Sequence, residues 1–276
     1  MAVSRSITAA DLSSADDDNN NKLVPVAADV STAVGRQSIV DRVQALCGST
    51  TANNRTKQLR FLIHAAGTIQ PIRPVLELQP AELRTAMEVN CEGPLFLTTA
   101  LYPYLQPLSP NAIAGRVLHV SSGAAHGAPP VGWAAYGISK AAFFQTFCIL
   151  EREWRDTGVV VGSFKPGVVD TPMQGVIREI PESKMPAVQR FVGLKEKQQQ
   201  QQQQQQQSSN TSTTAARPPP SGALDTPDNV AHFAEFLLLG TTDAEFANAD
   251  AHPAEWDIRH EQHFPRWIRP ENLSAS

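Results

Sequence analysis

The sequence is poor in cysteine, in net charge and in long apolar runs, and each shortage excludes a class of protein. Among its 276 residues are three cysteines, far apart and in apolar surroundings, which argues against a disulfide framework and favours a reducing, cytoplasmic compartment. A net charge of −4 offers no basic footprint for nucleic acid. No stretch approaches the roughly 18 apolar residues of a membrane span, and the N-terminus has no apolar secretory signal.

What the chain does contain is an alternation of apolar, β-branched runs with segments of helical periodicity. Four such runs predict buried strands, at residues 23–28, 59–63, 117–120 and 159–164. Strand, helix and strand at this spacing make a βαβ unit, so we predict an α/β, Rossmann-like fold with a doubly wound parallel sheet. The length suits one domain over residues 1–262 with a tail at 263–276.

Two segments near the C-terminal half invite other interpretations. Residues 195–221 hold ten consecutive glutamines followed by serine, threonine and proline. This composition does not build a core, so we predict a disordered surface insertion within the domain. The histidines near the C-terminus lack further ligands at a recognisable spacing, and no metal is expected.

The chemistry-bearing stretch lies between residues 116 and 140. Ser122 stands where a predicted strand ends, and Tyr136 and Lys140 lie four residues apart on the helix that follows, hence on one face. A nearby cation is expected to lower the pKa of the tyrosine from about 10, so that the phenol exchanges a proton with a substrate oxygen. The serine hydroxyl would hold that oxygen. These residues suit carbonyl–alcohol interconversion beside a hydride carrier, although Tyr-x-x-x-Lys alone is more often mere packing.

This stretch resembles the active site of the short-chain dehydrogenase/reductase family, which carries Ser, Tyr and Lys in this order. The context Tyr-Gly-x-Ser-Lys-Ala-Ala after Ser121-Ser122 carries the resemblance. The gap from Ser122 to Tyr136 is one residue longer than is usual in the family, and Ser121 remains an alternative. The resemblance implies NADP, with NAD possible, a small carbonyl or alcohol substrate, and a homo-oligomer without nucleic-acid or membrane partners.

Other segments extend the resemblance, and it implies their roles. Val89-Asn90 matches the position where the family's Asn anchors a water near the catalytic lysine, and Pro94 should kink the helix there because it has no N–H. The turn at 166–171 matches a nicotinamide-binding Pro-Gly-x-Val-x-Thr motif. The implied catalytic residues are Asn90, Ser122, Tyr136 and Lys140. The implied cofactor-binding residues are Arg5, Asp29, Val30, Ala66, Gly67, Tyr136, Lys140, Pro166, Gly167, Val169 and Thr171.

One part of the family pattern is absent. No glycine-rich turn that opens a helix and cradles a pyrophosphate precedes Asp29. Residues 1–6 instead resemble the family's second strand, with Arg5 placed to meet the 2′-phosphate of NADP. We therefore expect a fold truncated at its N-terminus by one strand–helix unit. The neighbours of the missing central strand would then either close up or leave a gap in the sheet, and we expect weak binding of NADP(H).

Two further expectations concern substrate and class. Residues 132–136 and 170–174 resemble the sepiapterin reductase-like members of the family. A second hypothesis is a non-catalytic binding or regulatory protein on the same fold, which predicts loss of the chemical residues, although all four are present. Phe143, Phe144 and Phe147 follow Tyr136 on the predicted helix and suit an oligomer contact.

Overall fold

The fold consists of short parallel strands joined by helices. The computed structural model describes residues 1–5, 24–49, 55–110, 112–207, 216–220, 222–247 and 255–268. The strands are β1 (Ala2–Ser4), β2 (Pro25–Ala27), β3 (Phe61–His64), β4 (Gly115–Val120), β5 (Val159–Lys165) and β6 (Trp256–Asp257). The helices are α1 (Ala33–Cys47), α2 (Pro80–Met87), α3 (Gly93–Leu105), α4 (Ala134–Trp154), α5 (Pro172–Arg178), α6 (Val188–Gln207), α7 (Pro227–Leu239), α8 (Asp243–Ala247) and α9 (Phe264–Trp267). None of the described helices is both long and apolar enough to cross a membrane.

The strands form two parallel sheets. β1 pairs with β2, and the second sheet has the order β3-β4-β5-β6. Val3 lies opposite Val26 in the first sheet, and Leu118 opposite Gly162 in the second. Within the described residues no backbone hydrogen bond joins the two sheets. The prediction of an α/β fold with parallel strands is confirmed, and the described strands form two sheets rather than one closed-up sheet.

Helices α1 and α3 connect the two sheets through a shared apolar cluster. Its buried members are Val26, Ala28, Ile39, Val43, Cys47, Leu97, Leu101 and Tyr104. Val3 of β1 and Leu62 of β3 both pack against this cluster. The two sheets are therefore joined by side-chain packing and not by backbone hydrogen bonds between described strands. Ile63 of β3 is 47% exposed, which corrects the expectation of a fully buried strand; in the described part of the chain β3 pairs with β4 alone.

The irregularity expected at Pro94 takes the form of a π turn. Residues Glu88–Glu92 form this turn between α2 and α3, and the amide of Gly93 donates to the Glu88 carbonyl. Pro94 sits in the first turn of α3, where a missing N–H costs no helical hydrogen bond. The turn places Asn90 in the interior, where it is 1% exposed.

Two expectations about the C-terminal half are wrong. Residues 195–207 continue α6 as a helix, because glutamine is a good helix former and the apolar first turns of the helix are anchored in the core; the remainder of the predicted disordered insertion is described only at 216–220. Within the predicted tail, Phe264–Trp267 form α9, and Trp267 and Ile268 are 9% and 3% exposed. Their burial beside Phe233 and Trp256 makes this segment part of the core.

The phenylalanines of α4 do not form the exposed face expected for an oligomer contact. Phe143 and Phe147 are 2% and 0% exposed. Phe147 packs with Leu105, Val117 and other residues beneath the sheet, where Phe144 adds a partly buried contact. Core packing therefore explains the two buried rings, and the homo-oligomer stays a prediction without them.

Candidate active site

One cavity of about 550 Å³ opens at the carboxyl ends of β4 and β5, beside the first turns of α4. In parallel α/β sheets this edge is where ligands bind. Of the residues predicted from the sequence, those that line the cavity are Gly67, Ser122, Tyr136, Lys140, Pro166, Gly167, Val169 and Thr171. Segments that are distant in sequence thus meet at one place.

Ser122 and Tyr136 lie close enough for the serine hydroxyl to lower the pKa of the phenol as a hydrogen-bonding partner. The Ser122 hydroxyl also accepts from the Ala124 amide at 3.2 Å, which caps a short 3₁₀ turn at Gly123–Ala125. The alternative, Ser121, also lines the cavity, but its buried hydroxyl has no hydrogen-bond partner among the described residues. The geometry therefore pairs Ser122 with the phenol.

The pKa of Tyr136 departs from the expectation. Burial raises the pKa of the phenol above its usual 10, and the hydrogen bond from Ser122 opposes this only in part. The loss of hydration at a side chain that is 7% exposed is the largest influence on this pKa, and the lowering by Lys140 stays a prediction. Tyr136 is consequently a neutral phenol at neutral pH.

Lys140 lies fully inside the protein, one turn from Tyr136. Its ammonium donates to the Val120 carbonyl at 3.1 Å and lies 5.1 Å from the centre of the Phe143 ring. Burial lowers the pKa of Lys140 to about 8, and the negative charge of Glu255 opposes that fall. At pH 7 most molecules therefore carry a charged Lys140 beside the cavity.

Asn90 fastens the loop after β3 to α4. Its Oδ1 accepts from the Thr68 amide at 2.7 Å, while its Nδ2 donates to the Thr68 carbonyl and to Ser139 Oγ, both at 2.8 Å. Gly67 lies in the same place, since a Cβ there would be 3.3 Å from Asn90 Oδ1 and 3.8 Å from Lys140 Nζ. Asn90 itself does not line the cavity, and its water-anchoring role stays a prediction.

Four predicted cofactor residues lie outside the cavity wall: Arg5, Asp29, Val30 and Ala66. Asp29 Oδ1 accepts from the amide and hydroxyl of Ser31 at 2.9 and 2.7 Å, and these bonds lower the pKa of Asp29. Arg36 donates to the Val30 carbonyl at 2.9 Å. Their polar groups thus organise the loop after β2, and their adenine-binding roles stay predictions.

The sequence reasoning missed a set of cations on the cavity wall. Lys165, Arg190 and Arg259 line it together with Lys140, and no Asp or Glu is among the described residues that do. Lys165 Nζ lies 3.2 Å from Asp257 Oδ2, which Arg259 also contacts. Lys165 ends β5, directly before the Pro166-Gly167 turn, so its position at the carboxyl end of a predicted strand was the available signal.

Another part of the cavity wall is apolar and aromatic. It is lined by Ile69, Trp133, Met173, Ile177 and Phe191. The Trp133 ring lies 5.4 Å from Phe191 and 5.5 Å, edge-on, from Tyr136. The first turns of α6 thereby cover the phenol. No group of three His, Cys, Asp or Glu in the described part of the chain is arranged to hold a metal ion.

Comparison with known proteins places this arrangement in a family. Residues 2–181 match the family model described as short chain dehydrogenase. The chain belongs to this family. Benzil reductase ((S)-benzoin forming) from Bacillus cereus is 33% identical over 138 residues, which cover 49% of this chain and 54% of that protein. A benzil reductase ((S)-benzoin forming) from Saccharomyces cerevisiae is 31% identical over 141 residues, covering 50% and 53%.

The share of its own length that aligns with this chain differs between one short chain dehydrogenase relative and another. The chain spans about half the length of the two curated benzil reductases. Among solved structures, that of the KRED1-Pglu enzyme has a TM-score of 0.63 at 26% identity and covers 87% of this chain and 83% of its own. A short chain dehydrogenase/reductase from Saccharomyces cerevisiae has a TM-score of 0.68 at 23% identity, covering 97% and 87%, and supports the fold alone.

Proposed function

We propose that this short chain dehydrogenase family member carries the active site of an NADP-dependent oxidoreductase that interconverts a carbonyl and an alcohol on a small molecule. The observation that supports the proposal is the meeting of Ser122, Tyr136 and Lys140 at one cavity. A phenol, a hydroxyl and an ammonium are the groups that proton transfer to a carbonyl oxygen requires.

The protonation states favour the reductive direction. Because the pKa of Tyr136 is raised by burial, its phenol holds a proton at neutral pH and gives it to the substrate oxygen as that oxygen gains negative charge. Ser122 orients the same oxygen through its hydroxyl. Lys140 places a positive charge behind the phenol and stabilises the phenolate that proton transfer leaves.

The residues present suit the nicotinamide end of the cofactor. Gly67 leaves a space between Asn90 and Lys140 that a side chain would fill, and Gly167 has a φ of 75°, which favours glycine. Pro166, Val169 and Thr171 would border the ring, and the cationic wall suits a ligand with phosphates. A bound nicotinamide would supply the hydride. Arg5 favours NADP over NAD, with Asp29, Val30 and Ala66 at the adenosine end.

The substrate side of the cavity points to an aromatic or otherwise apolar ketone. Trp133 and Phe191 offer ring faces, and Ile69, Met173 and Ile177 offer apolar surface. The relatives named benzil reductases make benzil the first test compound. The sepiapterin reductase-like motif around Trp133 and Gln174 makes sepiapterin the second.

The test is oxidation of NADPH, and in parallel of NADH, with benzil, a small diketone or sepiapterin. Millimolar cofactor should be used, because the sequence predicts weak binding. We expect turnover of at least one ketone, with NADPH preferred. If NADPH binds and none of the ketones is reduced, the proposal fails and the non-catalytic binding protein becomes the better account.

A further inference from the structure

Glu255, the residue before β6, is a buried carboxylate in the structure. Its side chain has 0% exposure, and a buried charge is costly unless other groups compensate it. Both oxygens are engaged: Oε1 accepts from Ser163 Oγ of β5 at 2.7 Å, and Oε2 lies 2.5 Å from His126 Nε2. Since a carboxylate can only accept, the Nε2 of His126 carries the proton.

His126 belongs to the segment that starts at Ser122. Ser122 caps the 3₁₀ turn at Gly123–Ala125, and the amide of His126 closes it by donating to the Gly123 carbonyl at 3.3 Å. The His126 ring also packs edge-on against Phe144 of α4, at 4.3 Å between centres. Glu255 therefore ties the far end of the turn that carries Ser122 to the sheet.

Glu255 also influences the protonation of Lys140. Its negative charge favours the ammonium form of that lysine. The other titratable groups around Lys140 are His64, His119 and Tyr136. Burial keeps His64 and His119 neutral, with the pKa of His64 at about 4 and that of His119 well below its usual 6.5. Tyr136 is neutral as well, so these three groups leave the ammonium without a compensating negative charge.

We propose that Glu255 is a positioning residue for the active site: it holds the Ser122 turn through His126 and supplies the negative charge that balances the buried Lys140 ammonium. The inference rests on the proposed function for the roles of Ser122 and Lys140. It gives the residue before β6 a role in positioning groups on two other segments, the turn after β4 and helix α4.

The test separates the charge from the hydrogen bond in the protein without added cofactor. Lysine labelled with ¹³C at Cε reports the titration of Lys140 by NMR, with Lys140→Met identifying the signal. We expect Glu255→Gln to lower the titration midpoint of Lys140 by about one pH unit. Glu255→Asp should restore the midpoint because it restores the charge, and Glu245→Gln, which removes an exposed carboxylate bonded to Arg266, should leave it unchanged.

His126→Leu tests the connection between Glu255 and the Ser122 turn, because leucine has no donor for the Glu255 carboxylate. It should lower kcat with a ketone substrate roughly tenfold, with KM nearly unchanged, because the Ser122 turn is loosened. Glu255→Gln should lower kcat and also move the alkaline limb of the pH–rate profile to lower pH. An unchanged Lys140 midpoint in Glu255→Gln overturns the charge role, and wild-type kcat in His126→Leu overturns the connection to the turn. The NMR titration needs no turnover, so it stands even if the proposed reaction is not observed.

Discussion

At the scale of single residues, the active site contains a lysine whose charged form is disfavoured by burial in the folded protein. Lys140 is 6% exposed, and its ammonium donates a hydrogen bond to the Val120 carbonyl. The folded protein holds the pKa of Lys140 at about 8, below its usual 10.5. Because the unfolded chain binds that proton more tightly, the charged lysine destabilises the fold below pH 8. This loss of stability decreases as the pH rises from 8 to 10.5, because Lys140 gives up its proton at a lower pH in the folded protein than in the unfolded chain.

Lys140→Met should accordingly stabilise the protein while removing its chemistry. We expect the free energy of unfolding to rise by roughly 1–3 kcal/mol at pH 7, the loss of the partner charge for Glu255 offsetting part of the gain. The difference between the two proteins should shrink as the pH rises from 8 to 10. Urea unfolding at both pH values measures it; a Met variant that is less stable at pH 7 contradicts the account.

For single residues, the sequence indicated which side chains meet at the cavity but not the pKa of Tyr136. Ser122, Tyr136 and Lys140 could be picked out because they lie at a predicted strand end and on one face of a predicted helix, in a context that resembles the family's active site. The raised pKa of Tyr136 could not be predicted from the sequence, because it depends on burial of the phenol by Trp133 and Phe191. Phe191 lies more than fifty residues away along the chain. Burial by distant segments is not visible in local spacing.

At the scale of elements, α3 approaches the loop after β2 without room for a side chain. A Cβ at Gly93 would lie 2.6 Å from the Val30 carbonyl oxygen and 2.8 Å from that of Glu88. Both contacts are with backbone, which cannot swing away as a side chain can. Gly93 therefore sets the distance between the π turn that carries Asn90 and the loop that carries Asp29.

Gly93→Ala should destabilise the protein by about 1–3 kcal/mol, because the backbone must shift to admit a methyl group. Gly193→Ala is the matched control: it also lies in a helix, and nothing lies within 4 Å of the added Cβ, so stability should be unchanged or slightly higher. Thermal unfolding of both variants compares them. Equal melting temperatures for the two would contradict the close approach.

The elements themselves were largely predictable, with two instructive exceptions. Apolar runs indicated the strands β2 to β5, and the segment with Tyr136 and Lys140 indicated α4, because these patterns are local. The glutamine run was misjudged since composition says nothing of the anchor at its start, where Lys195 bonds Asp170 and Gln198 at 2.7 and 2.9 Å. The segment 264–268 was misjudged because its apolar residues are few and their partners lie elsewhere.

At the scale of the whole molecule, the described residues form two sheets that share a core. The β1–β2 sheet contacts the rest through side chains of the α1–α3 cluster, whereas β4 is bonded on both sides, to β3 and β5. A sheet of two short strands is marginal by itself. The two sheets are therefore joined by side-chain packing, whereas strands within each sheet are joined by backbone hydrogen bonds.

Hydrogen exchange should reveal this unequal cohesion. We expect backbone amides of β2 to exchange at least roughly tenfold faster than those of β4, because local opening of the small sheet breaks few contacts. Mass spectrometry of peptides covering Pro25–Ala27 and Gly115–Val120 measures both in one sample, so the β4 peptide serves as the internal standard. Equal protection of the two strands would show that they unfold as one unit.

The central claim is that Tyr136 transfers a proton while a nicotinamide reduces a carbonyl at this cavity. The most direct measurement is the rate at which deuterium passes from NADPH, labelled at its transferable C4 position, to the carbinol carbon of the alcohol formed from benzil, followed by mass spectrometry at millimolar cofactor. The wild type and the variant Tyr102→Phe should form the labelled alcohol at similar rates, because Tyr102 packs at a tilt against Trp154 and does not line the cavity. Tyr136→Phe should lower the rate at least about 100-fold. Labelled alcohol formed by Tyr136→Phe at the wild-type rate would contradict the account.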